Sequence, residues 1–173
     1  MITNAKTEIR IEPLSENYIE SFHRCLDSVA RERKYLAMIE APPLNSTRRF
    51  IMANLSNNVP MFIAVRDEEV VGWCDIIPNN LEGFNHCGRL GMGVIKELRR
   101  LGIGQKLVEQ TISKARQLDL ERIELEVFAS NIPAIRLYEK LGFQVEGVKK
   151  MARKLDDVID DNVDMALFLK QKH

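Results

Sequence analysis

Between residues 96 and 106 the chain reads KELRRLGIGQK, which sets Gly102 and Gly104 among Lys96, Arg99, Arg100 and Lys106, directly ahead of a run with helical periodicity. Glycine lets a backbone bend tightly and come close to a ligand, and the first turn of a helix carries N–H groups without intrahelical partners. Those donors, the positive end of the helix dipole and the nearby cations suit a phosphate or pyrophosphate. Two familiar phosphate loops do not account for the pattern. A Walker loop ends in Gly-Lys-Ser/Thr, whereas Gly104-Gln105-Lys106-Leu107 offers no hydroxyl for magnesium. A Rossmann loop sets G-x-G-x-x-G after a first strand, whereas GRLGMG (88–93) has the reverse spacing and lies within a strand.

Groups able to move protons are few. In RIELEVF (122–128), Ile123, Leu125 and Val127 share one strand face, and Glu124 and Glu126 share the other. Glu126 is therefore a candidate base, and plain solvation of both glutamates is the alternative. Asp75 shares a strand face with Trp73 in VVGWCDI. That pair reads either as a carboxylate beside an aromatic wall or as a strand-end acid beside a core ring. His86 is of a residue type that can transfer protons, but its place at the start of a strand suggests loop duty. Cys25, Cys74 and Cys87 sit in apolar settings without a C-x-x-C pair, so reduced core cysteines and no metal site are expected.

The elements that must position these residues follow from periodicity. TEIRIEPL reads as a short strand ending at Pro13, and Ser15 as the N-cap of a helix bearing Tyr18, Phe22, Cys25, Leu26 and Val29. A second helix is expected over 47–55, and a hairpin in PMFIAVRDEEVVGWCDIIP. A strand over 86–95 leads through the glycine turn into the helix bearing Leu107, Val108, Thr111, Ile112, Ala115 and Leu118. RIELEVF supplies the next strand. A helix over 133–141 follows, with Asn131 as N-cap and Gly142 as terminator. Strands over 143–153 and 162–169 flank a polar KLDDVIDD and pair as a hairpin. This order implies an α/β fold: a mixed, mostly antiparallel sheet of about seven strands with helices on both faces.

A chain of 173 residues that is 45% hydrophobic is the size of a single domain, 1–173, with its own core. Its 25 basic and 25 acidic residues balance, so no overall field would gather nucleic acid or an acidic membrane, and anion binding must be local. The first residues lack a cationic start followed by an apolar block, and runs such as MFIAV are too short to cross a bilayer. A cytoplasmic protein without nucleic-acid or membrane partners is expected.

RRLGIG resembles the [Q/R]-x-x-G-x-[G/A] signature of the GNAT superfamily of acetyl-CoA-dependent N-acetyltransferases, with Arg99, Gly102 and Gly104 on the defined positions. LGMGV before it and IELEVFASNIPAIRLYEKLGF after it extend the resemblance over nearly the whole chain. The most specific part is SNIPAIRLYEKLGF, with Asn131, Ala134, Tyr138, Gly142 and Phe143. The resemblance implies an acyl-CoA N-acyltransferase fold with a splayed central strand pair, and acetyl-CoA as cofactor without a metal. It further implies that the backbone of Arg99, Arg100, Leu101, Gly102, Ile103 and Gly104 holds the pyrophosphate. Met92 and Val94 would pair with the pantetheine arm, and Asn131, Ala134 and Tyr138 would contact the coenzyme. Gly91 and Gly93 would permit a bulge and close approach there. Tyr138 matches the tyrosine that hydrogen-bonds the coenzyme sulfur and can act as general acid. Glu126 precedes it by twelve positions, as in the ribosomal-protein N-terminal alanine acetyltransferases, and Asp75 is the competing base. The Val94 N–H would face the developing oxyanion.

Transfer by direct attack within a ternary complex is expected, since no cysteine lies in a motif for an acyl-enzyme nucleophile. The resemblance assigns acceptor choice to the first two helices, their loop and the last hairpin. There Tyr35, Glu40, Asp156 and Asp157 are able to receive a cation or simply to sit in solvent. A small-molecule amine or amino acid and a protein N-terminus remain open as acceptors. A CoA-binding sensor or interaction domain without turnover is the alternative function. Homodimers are common in the superfamily, but no interface signal stands in this chain.

Overall fold

The structure, a computed structural model, describes residues 8–170. The first described strand, β1 (Arg10–Pro13), stops at its proline. Ser15 precedes a single 3-10 turn and makes no side-chain cap; the helix proper, α1 (Ile19–Ala30), starts one turn later than its apolar spacing suggests. The second helix, α2 (Leu44–Ser56), begins three residues before the expected Thr47, because Pro43 sets an extended backbone from which a helix can start. β2 (Met61–Arg66) and β3 (Glu69–Pro78) form the expected hairpin. Asp67 and Glu68 both take positive φ, 53° and 60°, as a two-residue turn matched to strand twist requires.

β4 (Cys87–Val94), α3 (Ile103–Gln117), β5 (Arg122–Phe128) and α4 (Ile132–Lys140) follow as strand, helix, strand, helix. The last hairpin is longer than its composition suggests. β6 (Gln144–Leu155) and β7 (Val158–Phe168) run through most of KLDDVIDD and leave only Asp156 and Asp157 as the turn, at φ 50° and 58°. Aspartate tolerates left-handed backbone better than most residues, and the exposed tip keeps its charges in water.

The seven strands lie in the order β1-β2-β3-β4-β5-β7-β6, all antiparallel except the parallel pair β4–β5. Alternation along the strands divides the core in two. Cys74, Ile76, Leu90, Val94, Leu125 and Met165 face α3 and α4, while Ile63, Val65 and Trp73 face α1 and α2. The mixed sheet with helices on both faces is thus as expected. On the α1/α2 side the core stops short of β5, and the outer strands there present charged side chains instead.

β4 and β5 touch only at Cys87–Arg122, Gly88–Ile123 and Arg89–Glu124. Beyond that point β4 runs on to Val94 and β5 to Phe128 without pairing, which is the splay.

Candidate functional site

The loop into α3 is bent by two left-handed residues, Arg100 at φ 64° and Gly102 at φ 80°. No atom lies within 4 Å of where a Gly102 Cβ would stand, so glycine is favoured there by backbone conformation rather than by crowding. Ile103 is buried and anchors the first turn, while Leu101 is exposed. The helical ladder begins with the Lys106 N–H donating to the Gly102 carbonyl at 3.2 Å, so the amides of Ile103, Gly104 and Gln105 precede it. A Cβ on Gly104 would stand 3.1 Å from Met92 Cε and 3.4 Å from Leu137 Cδ2, which sets this turn against β4 and α4 at once. Arg100 and Lys106 form no ion pair among the described residues. These amides, free cations and glycine approach fit a pyrophosphate.

The Arg99 side chain is turned elsewhere. Its Nε donates to the Val94 carbonyl at 2.8 Å, its two terminal nitrogens bind the Glu32 carboxylate, and its guanidinium lies 4.6 Å from the centre of the Tyr35 ring. Only its main chain is left to the loop.

Next to the loop runs the free edge of β4. At its two ends the Asn79 N–H donates to the Cys87 carbonyl and the Ile95 N–H to the Val71 carbonyl. Odd-numbered residues of β4 therefore pair with β3, and Leu90, Met92 and Val94 turn their N–H and C=O groups toward the splay. The Val94 carbonyl is already taken by Arg99, leaving its N–H and both groups of Met92. The register of β3 with β4 is unbroken, so Gly91 and Gly93 make no bulge. They are small for another reason. A Cβ on Gly93 would overlap the Trp73 indole, and one on Gly91 would stand 3.3 Å from Asp75 Oδ1.

Tyr138, on α4, is buried in the core facing α3, with its ring 5.6 Å from that of Phe143. Burial pushes its phenol well above the usual range. Asn131 caps α4 through a long 3.4 Å bond from the Ala134 N–H, and Ala134 packs partly buried against the same core.

The candidate bases stand on the opposite face of the sheet in unlike surroundings. Trp73 is a core ring, edge-on to Phe22 at 5.8 Å, so it lines no cleft. Asp75 beside it is mid-strand and retains some solvent access, yet it has no ion pair among the described residues, and burial raises its carboxyl from 3.8 to about 7. Glu126 is more exposed and heavily partnered: Arg89 at 2.9 Å, Lys149 at 3.1 Å and the Asn162 amide at 2.6 Å. Burial opposes its charge, but these donors prevail and hold the carboxyl below its ordinary value. His86 is exposed in the loop before β4, and its carbonyl accepts from the Glu121 and Arg122 N–H groups.

Several partners had no signal in the sequence. Glu32 meets Arg99 across 67 positions, and Arg33 meets Asp156 across 123, at 2.8 and 2.7 Å. Of the residues suggested as cation receivers, Asp156 is held by Arg33, Glu40 stands 3.5 Å from Arg31, and Tyr35 stacks on Arg99.

The chain is 34% identical over 116 residues to an N-alpha-acetyltransferase of Sulfurisphaera tokodaii, covering 60% of this chain and 68% of that protein. It is 32% identical over 104 residues to the L-amino acid N-acetyltransferase AaaT of Escherichia coli, covering 59% and 64%. Over 76 residues it is 34% identical to the Escherichia coli ribosomal protein bS18-alanine N-acetyltransferase, covering 44% and 51%. Its fold matches that of yncA from Salmonella typhimurium, solved with acetyl-CoA, at a TM-score of 0.88 and 16% identity over 95% of each chain. The model of the Acetyltransferase (GNAT) family spans residues 19–143, and the chain belongs to that family.

Proposed function

We propose that the protein transfers the acetyl group of acetyl-CoA to a primary amine by direct attack within a ternary complex. The observation that carries this reading is the splay. β4 leaves β5 after Arg89, turns the main chain of Met92 and Val94 to an open edge, and ends beside a helix start rich in free amides. A diphosphate on the 99–104 backbone would bring its pantetheine arm along that edge. Bound there, acetyl-CoA supplies an activated acyl carbon and a thiolate leaving group.

The Val94 N–H, held in place because Arg99 fixes the carbonyl of the same residue, faces the oxygen on which charge develops. Tyr138, its phenol pushed up by burial, would donate a hydrogen bond to the departing sulfur, and the thiolate would take the second proton that the attacking nitrogen has to lose. Asp75 is the preferred base. Taking a proton from an alkyl ammonium near 10 costs about 4 kcal/mol for a carboxyl near 7, and more for Glu126, whose donors hold its carboxyl below the ordinary value. Glu126, fixed among Arg89, Lys149 and Asn162, then serves to orient the incoming cation.

For the acceptor, the N-alpha-acetyltransferase and bS18-alanine relatives support a protein N-terminus, and AaaT supports a free amino acid. The test is thiol release from acetyl-CoA across a panel of N-terminal peptides, amino acids and simple amines. Turnover with one class assigns the acceptor. Coenzyme binding with no turnover across the panel would favour a binding domain instead.

A further inference from the structure

The loop between α1 and α2 is pinned at two neighbouring residues that bind different parts of the protein. Glu32 binds Arg99, on the coenzyme loop, through both carboxylate oxygens, and Tyr35 covers the same guanidinium. Arg33, held at φ 58°, binds Asp156 at the tip of the β6–β7 hairpin, and the Arg153 side chain donates to the Arg33 carbonyl at 2.9 Å. The Arg99–Glu32 pair is the better shielded of the two, about a quarter exposed. One side chain, rooted in the coenzyme loop, thus touches the end of β4 and the loop that leads to the hairpin.

We propose that Arg99 is a positioning residue that couples coenzyme binding to order in the 31–43 loop. Filling the 99–104 amides with a diphosphate fixes the Arg99 main chain. Its side chain then holds Glu32 and Tyr35, and the adjoining Arg33 carries the constraint to Asp156. Any second ligand that also orders this loop would therefore bind with positive coupling to the coenzyme, since the ordering cost is shared. The proposal rests on the 99–104 backbone being the pyrophosphate site.

Amide hydrogen exchange on the full chain, with and without saturating CoA, tests it. In wild type, CoA should slow exchange at least threefold in three places, the 99–106 loop, the 31–43 loop and the hairpin tip at 153–157. In Glu32→Gln, protection of 99–106 should persist with the CoA Kd within about threefold of wild type, and protection of 31–43 should vanish. Arg99→Lys, which keeps the charge but loses the paired contact and the stacking, should behave as Glu32→Gln does at the 31–43 loop. Arg33→Ala should retain protection next to Glu32 and lose it at residues 153–157. Equal protection of 31–43 in wild type and Glu32→Gln, or none in wild type, would overturn the coupling. Absence of protection at 99–106 in wild type would instead overturn the coenzyme site itself.

Discussion

At the scale of single residues, a carboxyl raised by burial from 3.8 to about 7 opposes folding whenever it ionises. The unfolded Asp75 loses its proton near 3.8 and the folded one near 7. Its unfavourable contribution therefore grows as pH rises from about 4 to about 7 and is constant above, at roughly 2–4 kcal/mol after allowance for its partial solvent access. Asp75→Asn should raise the urea midpoint most at pH 8, by roughly a third as much at pH 5, and hardly at all below pH 4. The same variant should lower kcat by about 100-fold or more and remove the rising limb of the pH–rate profile near 7. An unchanged profile would place the base elsewhere. Tyr138→Phe keeps the ring against Phe143 and removes only the donor. Turnover should fall about 10- to 100-fold, with CoA affinity within a few-fold by calorimetry. Residue types and strand alternation pointed to Asp75 and Glu126, and the family resemblance to Tyr138, but neither could rank the two acids. The ranking depends on Arg89, Lys149 and Asn162, which reach Glu126 from β4, β6 and β7 and are invisible to local spacing.

At the scale of elements, two glycines in adjacent motifs have separable duties. Gly102→Val forces a β-branched residue to φ 80° with open space around it, so it should cost about 1–2 kcal/mol and weaken CoA binding tenfold or more. Gly93→Ala drives a methyl into the Trp73 ring. It should cost about 1–3 kcal/mol in denaturant midpoint, through the α1/α2 core and not through the loop. Equal effects of both changes on stability and on binding would argue against this division. Elements were legible where chemistry was local. Asp67 and Glu68 form the expected turn, and Asn131 and Gly142 bound α4 as caps. They were less so where tertiary context prevails. The acid-rich KLDDVIDD reads as loop, yet it forms strand because register with β7 continues to Val158. Gly91 and Gly93 read as ligand clearance, yet they make room for Asp75 and Trp73.

At the scale of the whole molecule, the sheet keeps two cores on opposite faces and parts between β4 and β5, where neither α1 nor α2 covers the outer strands. A slot between two halves of one sheet would admit a long, thin ligand from one side and leave the charged face around Glu126 open on the other. That layout was readable in part: the two hairpins follow from short connections and the glycine turn marks the helix start, the splay was implied by the family resemblance, and the place of β7 between β5 and β6 had no local signal. The closing ties Arg99–Glu32 and Arg33–Asp156 were not, since each joins residues far apart in the chain. If the main chain of residues 99–104 grips the diphosphate of CoA, titration calorimetry of wild type and Gly102→Val with CoA and with pantetheine, which carries no phosphate, separates the two proteins: CoA should bind Gly102→Val at least tenfold more weakly than wild type, and pantetheine should discriminate little between them. Equal CoA affinity in both proteins, with both folded, would contradict it.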